Sequence, residues 1–172
     1  ATLIAIQPLL SELDRLSDAF EKLGKKYADV IKSGRTHLQD ALPVTIGHEF
    51  TAYAVAIQNG REQLESRSRR LEELALGGTA VGTGVNAHPR FKKVAIAELS
   101  KMTGLKLRAA QNPFEALQSR NAISAVSGAL KELSLELIRI ANDLRLLSSG
   151  PTAGLAEIGF PPVQPGSSIM PG

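Results

Sequence analysis

Apolar residues at Ile6, Leu9, Leu13, Leu16, Phe20, Leu23, Tyr27 and Val30 follow one another in alternating steps of three and four. That stripe predicts a long helix packed lengthwise on others. Pro8 fits it only near a first turn or at a kink. A second helix is predicted from about Val44 to Leu76, where Phe50, Ile57, Leu64 and Leu71 recur every seven residues. Ala52, Ala54, Ala56 and Gly60 on the same segment leave room for close approach by a neighbour. A shorter helix runs from Arg90 to Met102 and stops at Gly104. The last helix carries Ile123, Val126, Leu130, Leu133, Leu137, Ile140, Leu144 and Leu147 in the same three-four rhythm. Ala122, Ala125, Ala129, Leu135, Ile138, Ala141 and Leu146 add apolar surface on its other faces, so it is expected to be buried among several partners. Drawn from Phe114 to Ser148 it would be roughly 50 Å long.

Three long helices and one short one make an all-α, long-helix bundle. Three multiply apolar helices do not cover one another fully, so the remaining apolar surface is expected to meet other subunits in an oligomeric bundle. Three polar, glycine-punctuated stretches interrupt the pattern and are expected as loops: "SGRTHLQDALP" (33–43), "GGTAVGTGVNAHP" (77–89) and "QPGSSIMPG" (164–172). Polar interruptions of a regular scaffold are where sites tend to lie. The apolar, helix-like start without an initiator Met and the polar finish are expected of a piece of a longer protein.

Composition changes this picture little. The chain of 172 residues fits one domain, and with 43% apolar but only 4% aromatic residues the packing falls to Leu, Ala and Ile, as suits helices. A net charge of +3 from 20 basic and 17 acidic residues, mostly interleaved, is too weak an imbalance to argue for nucleic acid. The basic run at Arg67, Arg69 and Arg70 is flanked by Glu65, Glu72 and Glu73, as on a solvated helix face. Without Cys there are no disulfides or thiolate metal sites. No apolar run reaches the roughly 18 residues of a membrane span, so a cytoplasmic setting without membrane contact is expected.

Candidate chemistry sits in the three loops. In the first, Thr36 and His37 adjoin Arg35, Gln39 and Asp40; a His there can bind a carboxylate or shuttle a proton. The alternative is that Thr36 and Asp40 merely pin the loop and leave His37 exposed. His48, beside Glu49, is read as structural, and His88 as a helix-entry residue. The second loop lacks the Lys of a Walker motif and follows no strand pattern, which argues against nucleotide. Its glycines let backbone approach a neighbour or ligand, with Thr79, Thr83 and Asn86 supplying hydrogen bonds. In the third, Ser167 and Ser168 follow Gly166; a serine acts as nucleophile or base only when its ionised form is stabilised nearby. There is no G-x-S-x-G elbow and no His pair at ligand spacing, so neither hydrolase nor metal chemistry finds support.

These stretches, in this order between long helices, resemble the fumarase/aspartase superfamily of lyases. The resemblance rests on "GRTHLQDALPVTIGHEF", "GGTAVGTGVNAHP", "ANDLRLLSSGPTAGLAEI" and "QPGSSIMPG", and covers essentially all 172 residues. It implies that residues 1–172 are most of a central helical domain, with N-terminal and C-terminal domains of the parent lying outside. The family's signature continues past Gly172 with a Lys and an Asn that hold a substrate carboxylate. By position, Ser167 matches the catalytic base that takes a proton from the carbon next to a substrate carboxylate. The resulting aci-carboxylate then expels its β-substituent to give fumarate. Ser168 matches a carboxylate-binding residue, and Thr36 and His37 the substrate-contacting pair; Thr83 and Asn86 fall in the second conserved region. The resemblance further implies a small dicarboxylate substrate, a homotetramer whose active sites each draw on three subunits, and no metal or other cofactor for the basic chemistry.

Within the superfamily, Leu146, Gln164 and the "GLAEI" stretch are similar to aspartate ammonia-lyase and Thr152 departs from the fumarase pattern, whereas "GGTAVGTGVNAHP" and "PFEALQSRNA" are nearer to fumarase. The balance of these cues points to deamination of L-aspartate, with fumarate hydratase as the alternative. A non-catalytic helical oligomerisation scaffold is the reading from a different class. The piece alone, lacking the rest of the signature, is expected to be inactive.

Overall fold

In the computed structural model, which describes residues 1–170, the first stripe becomes helix α1 (Thr2–Lys26). The helix contains Pro8, and its Leu3, Ile6, Leu10, Leu13 and Phe20 are buried. It ends four residues before Val30, the last position of the stripe. The chain then turns into a β-hairpin rather than the expected loop: β1 (Ile31–Thr36) pairs antiparallel with β2 (Gln39–Thr45). Their register shifts between Ser33 and Arg35, a bulge that sharpens the local twist. The two turn residues, His37 and Leu38, have positive φ values of 49° and 61°. Two-residue hairpins need that backbone hand and normally recruit Asn-Gly for it. Polar residues and a His-Leu turn hide the hairpin from pattern reading.

Thr45 caps helix α2 (Ile46–Ser68). Its hydroxyl accepts from the His48 amide at 3.1 Å, and His48 Nδ1 accepts from the Thr45 amide at 3.3 Å. This reciprocal cap gives His48 the structural role expected of it. The helix is shorter than the predicted 44–76 span. A 3₁₀ turn takes over at Arg69–Glu72, and Glu73–Leu74 (β3) pairs in parallel with Arg108–Ala109 (β4). Between these strands lie the glycine loop and helix α3 (Phe91–Thr103), which is followed by Gly104 as predicted.

The last predicted helix is two. A short α4 (Pro113–Gln118), capped by the Asn112 side chain, is separated from α5 (Asn121–Leu147) at Ser119 and Arg120. Ser119 is extended, with ψ of 144°, and its hydroxyl accepts from the Asn121 amide. At 27 residues, α5 is about 40 Å long rather than 50.

Side-chain pairs fix the packing. Ser17 Oγ donates to the Ala54 carbonyl at 3.0 Å, and Asp14 meets Arg61 at 2.9 Å, so α1 and α2 run antiparallel. Arg67 meets Glu132 at 3.2 Å, while the Arg139 guanidinium lies 5.8 Å from the centre of the Tyr53 ring, so α2 and α5 are antiparallel too. Near the hairpin, α1 and α2 approach so closely that a Cβ on Gly47 would stand 2.5 Å from the Gly24 carbonyl oxygen and 2.7 Å from Ala28 Cα. Only glycine fits against such backbone atoms. Phe20, Phe50 and Tyr53 close this end of the core, with ring centres 5.7 to 6.2 Å apart. Ile57, Leu64 and Val126 are fully enclosed further along.

The bundle therefore has two poles. The C-terminus of α1, the hairpin, the N-terminus of α2 and the C-terminus of α5 share one. The glycine loop, which follows the far end of α2, lies at the other. The 23 residues of α2 set the poles about 34 Å apart. The outer face of α5 leaves Leu135 and Ile138 more than half exposed.

Candidate active site

Thr36, His37, Thr83, Asn86, Ser167 and Ser168 are all exposed. Thr36 and His37 stand at the tip of the hairpin, exposed. Two adjacent non-glycine residues with left-handed backbone, His37 and Leu38, cost about 1–2 kcal/mol each. Strain of this kind persists only where surrounding contacts hold it. Asp40 supplies one such contact, accepting from Ser33 Oγ at 2.8 Å across the hairpin. It pins the loop, as one reading of the sequence anticipated.

Thr83 and Asn86 lie in the glycine loop at the opposite pole, also exposed. Thr83 Oγ1 accepts from the Val85 amide at 3.4 Å, and Asn86 has a φ of 64°. Gly82 presses against α4: a Cβ there would meet the Phe114 ring at 3.0 Å and its backbone nitrogen at 3.2 Å. The glycines of this loop thus serve close backbone approach. His88 Nδ1 accepts from the Arg90 amide at the entry to α3, the helix-entry role read for it.

Ser167 and Ser168 lie beyond α5 in an exposed, irregular segment. Ser167 Oγ accepts from the amides of Met170 at 3.0 Å and Ile169 at 3.3 Å, and the Ser167 amide donates to the Met170 carbonyl at 2.6 Å. Two backbone N–H groups therefore converge on one exposed hydroxyl oxygen. Pro171 and Gly172, the last two residues of that stretch, lie outside the described residues.

Pattern reading passed over an ion cluster that joins the hairpin to the segment after α5. Lys32 on β1, whose side chain is only 5% exposed, lies 2.6 Å from Glu49 Oε1 on α2 and 2.9 Å from Glu157 Oε2. Arg35, also on β1, donates to the other oxygen of Glu157. Lys32 and Arg35 thus divide the two carboxylate oxygens of Glu157 between them. Burial pushes the Glu157 carboxyl up, but hydrogen bonding and charge from Arg35 and Lys32 outweigh it and hold it below the ordinary glutamate range. Beside the cluster is a cleft of about 190 Å³, lined in part by Lys32, Arg35, Leu38, Glu49, Tyr53 and Asp143. Its two cations are already satisfied by carboxylates, so it is not built to hold a dicarboxylate. Burial, then the charge of Asp143, push the Tyr53 hydroxyl up to about 12, so it stays protonated at neutral pH.

The sign of the Glu157 shift predicts an acid-labile joint. A lowered carboxyl contributes stability that is complete above the ordinary glutamate range and is lost as pH falls through the lowered value. Arg35, whose guanidinium is held further protonated by its hydrogen bond to Glu157, stays charged throughout, and Glu49 and Asp40 are the other carboxyls near it. The urea midpoint is expected to fall on acidification below the ordinary glutamate range, and to fall less steeply in Glu157→Gln. Equal steepness in the two proteins would break the link.

Among the described residues, no group of three or more His, Asp or Glu is placed to hold a metal ion, and no helix is long and apolar enough to cross a membrane.

The long antiparallel helices thus carry polar loops at both ends of the bundle. The family model described as "Lyase" matches residues 1–172. A class II fumarate hydratase of Neisseria meningitidis is 49% identical over 164 residues, covering 95% of this chain and 36% of that protein. An aspartate ammonia-lyase of Helicobacter pylori is 48% identical, also over 164 residues, covering 95% of this chain and 35% of that one. The crystal structure of a fumarate lyase:delta crystallin from Brucella melitensis, bound to cobalt, superposes with a TM-score of 0.88 at 49% identity, over 94% of this chain and 35% of its own. The chain belongs to the fumarase/aspartase superfamily of lyases. It spans little more than a third of the length of these relatives.

Proposed function

We propose that the protein to which this chain belongs is a lyase that forms fumarate by elimination from a C4 dicarboxylate. The observation carrying this reading is the serine turn. In it, two backbone amides point at Ser167 Oγ, and the stretch sits in a chain nearly half identical to fumarate-releasing relatives. Ser167 is the base: its ionised oxygen takes the proton from the carbon beside a substrate carboxylate. The negative charge that develops must be met by fixed donors, the electrostatic part of the barrier. Ser168, Thr36 and His37 bind the substrate, His37 as a carboxylate partner or proton carrier, and Thr83 and Asn86 complete the site from the glycine loop. Residues 1–172 act as the central helical domain of that enzyme.

One chain holds Thr36 and His37 near one end of α2 and Thr83 and Asn86 beyond the other, α2 itself being about 34 Å long. A single site using all four takes them from different copies, which favours a homo-oligomer, a tetramer in our reading. The half-exposed Leu135 and Ile138 on α5 offer apolar surface for that assembly.

The leaving group is water or ammonia. Leu146 and Gln164 favour the aspartate reading and the glycine loop favours the malate one. The relatives do not lift aspartate over malate, since proteins named for each activity match this chain almost equally well. The test is ultraviolet absorbance of fumarate formed by the full-length protein, offered L-malate and L-aspartate separately. Fumarate from malate alone makes it a hydratase and from aspartate alone an ammonia-lyase. Silence with both would remove malate and aspartate as substrates and favour another substrate of the superfamily, or a non-catalytic scaffold.

A further inference from the structure

The hairpin tip is strained and exposed, yet it stands on a base of buried charge. Lys32 and Arg35 are three residues apart on β1, an odd separation that in a regular strand would send them to opposite faces. Both nevertheless reach Glu157, with the strand's register shift lying between Ser33 and Arg35. Glu157 is 122 residues from Arg35 in sequence and ten before Ser167. Its side chain is 15% exposed, far less than the surface ion pairs along the helices, such as Arg15 with Glu12 at 74% and 63%. The other carboxylate on Lys32, Glu49, belongs to the first turn of α2, so the strand is tied at once to the bundle and to the segment after α5. Leu38, the second residue of the strained turn, lines the cleft beside these charges.

We propose that Glu157 is a positioning residue, which with Lys32 and Arg35 fastens the hairpin presenting Thr36 and His37 to the root of the segment carrying Ser167 and Ser168. It touches no reacting atom. It sets where two substrate-handling segments stand, whether they serve one site or two neighbouring ones. This rests on the fumarate-forming reading for its catalytic consequence, but not for the fastening itself. Misplacing a substrate-positioning group by about 1 Å can cost up to about 10²-fold in rate.

The test is Glu157→Gln in the full-length protein, which keeps shape and removes charge, read in two ways. Amide hydrogen exchange of residues 31–45 is expected to speed up at least tenfold, with α2 and the middle of α5 unchanged. The kcat/KM for whichever substrate the parent uses is expected to fall about 10- to 100-fold per folded site, with partial recovery in Glu157→Asp, which restores the charge. A purely structural carboxylate would lower thermal stability and leave kcat and KM per folded site as they were. Unchanged hairpin exchange, or faster exchange spread evenly over all three long helices, overturns the proposal. So does an unchanged kcat/KM in an active parent. If Glu157→Gln does not fold, Arg35→Lys, which keeps charge but loses the guanidinium fork, is judged on the same readouts. Should the parent form fumarate from neither substrate, the malate and aspartate readings fall, while the exchange rates still decide whether the fastening exists.

Discussion

Replacing Ser167 by Ala in the full-length protein is expected to lower turnover by about 10³-fold, within the range of a single acid–base group, while leaving assembly intact. The side chain is exposed and lies outside every helix, so nothing in the core depends on it. What the substitution removes is the one oxygen on which the Ile169 and Met170 amides converge. Those amides would then face solvent at little cost, and the bundle would fold as before. Steady-state rates with malate and aspartate, beside light scattering for the assembled mass, are the measurements. A rate within tenfold of the parent would disqualify Ser167 as the base, and a changed mass would move its role from chemistry to structure.

The second large effect is expected in the core. Leu64 is fully enclosed on α2, in the cluster that joins α1, α2 and α5. Leu64→Ala removes apolar atoms from a site where three helices meet and leaves a cavity that rigid helices cannot collapse to fill. The cost is about 3–4 kcal/mol, the middle of the range for such truncations. Denaturant unfolding followed by circular dichroism should show the midpoint drop without a change in slope. A loss under about 1 kcal/mol would mean that the cavity relaxes closed. Leu64 lies towards the pole away from the hairpin, so amide exchange of residues 31–45 is expected to change only as far as global unfolding does.

The three long helices were legible because their burial is rhythmic. Ile6, Leu13, Phe20, Ile57, Leu64, Val126, Leu133 and Ile140 are buried where the three-four spacing puts them. Their ends were less so. The break before α5 is made by an extended Ser119 and a capping hydroxyl, with neither Gly nor Pro to announce it. The hairpin looks like a loop in sequence because hairpin signals are alternation and Asn-Gly, and this one offers polar strands, a bulge and a left-handed His-Leu pair. Thr36, His37, Thr83, Asn86, Ser167 and Ser168 are candidates on residue chemistry and resemblance alone. Lys32, Glu49 and Glu157 were missed for a physical reason: what distinguishes them is burial against one another across the fold, and a charged residue does not show in sequence which of its many counterions it will meet. The "GLAEI" stretch contained Glu157, yet nothing local separates it from the chain's surface carboxylates.

The 122-residue span between Arg35 and Glu157 also sets an order of events. The helices are built from local contacts and can form early, whereas non-local closures wait until the elements that carry them have docked. Arg35 and Glu157 can meet only after α5 has folded back along α2. On refolding, pulsed exchange should therefore protect α2 amides before those of residues 31–36. Simultaneous protection would show that the hairpin closes independently. A nascent or partly melted chain would hold a respectable helical bundle and still lack the strapped hairpin, so far-ultraviolet circular dichroism would report a folded protein before its working parts had come together.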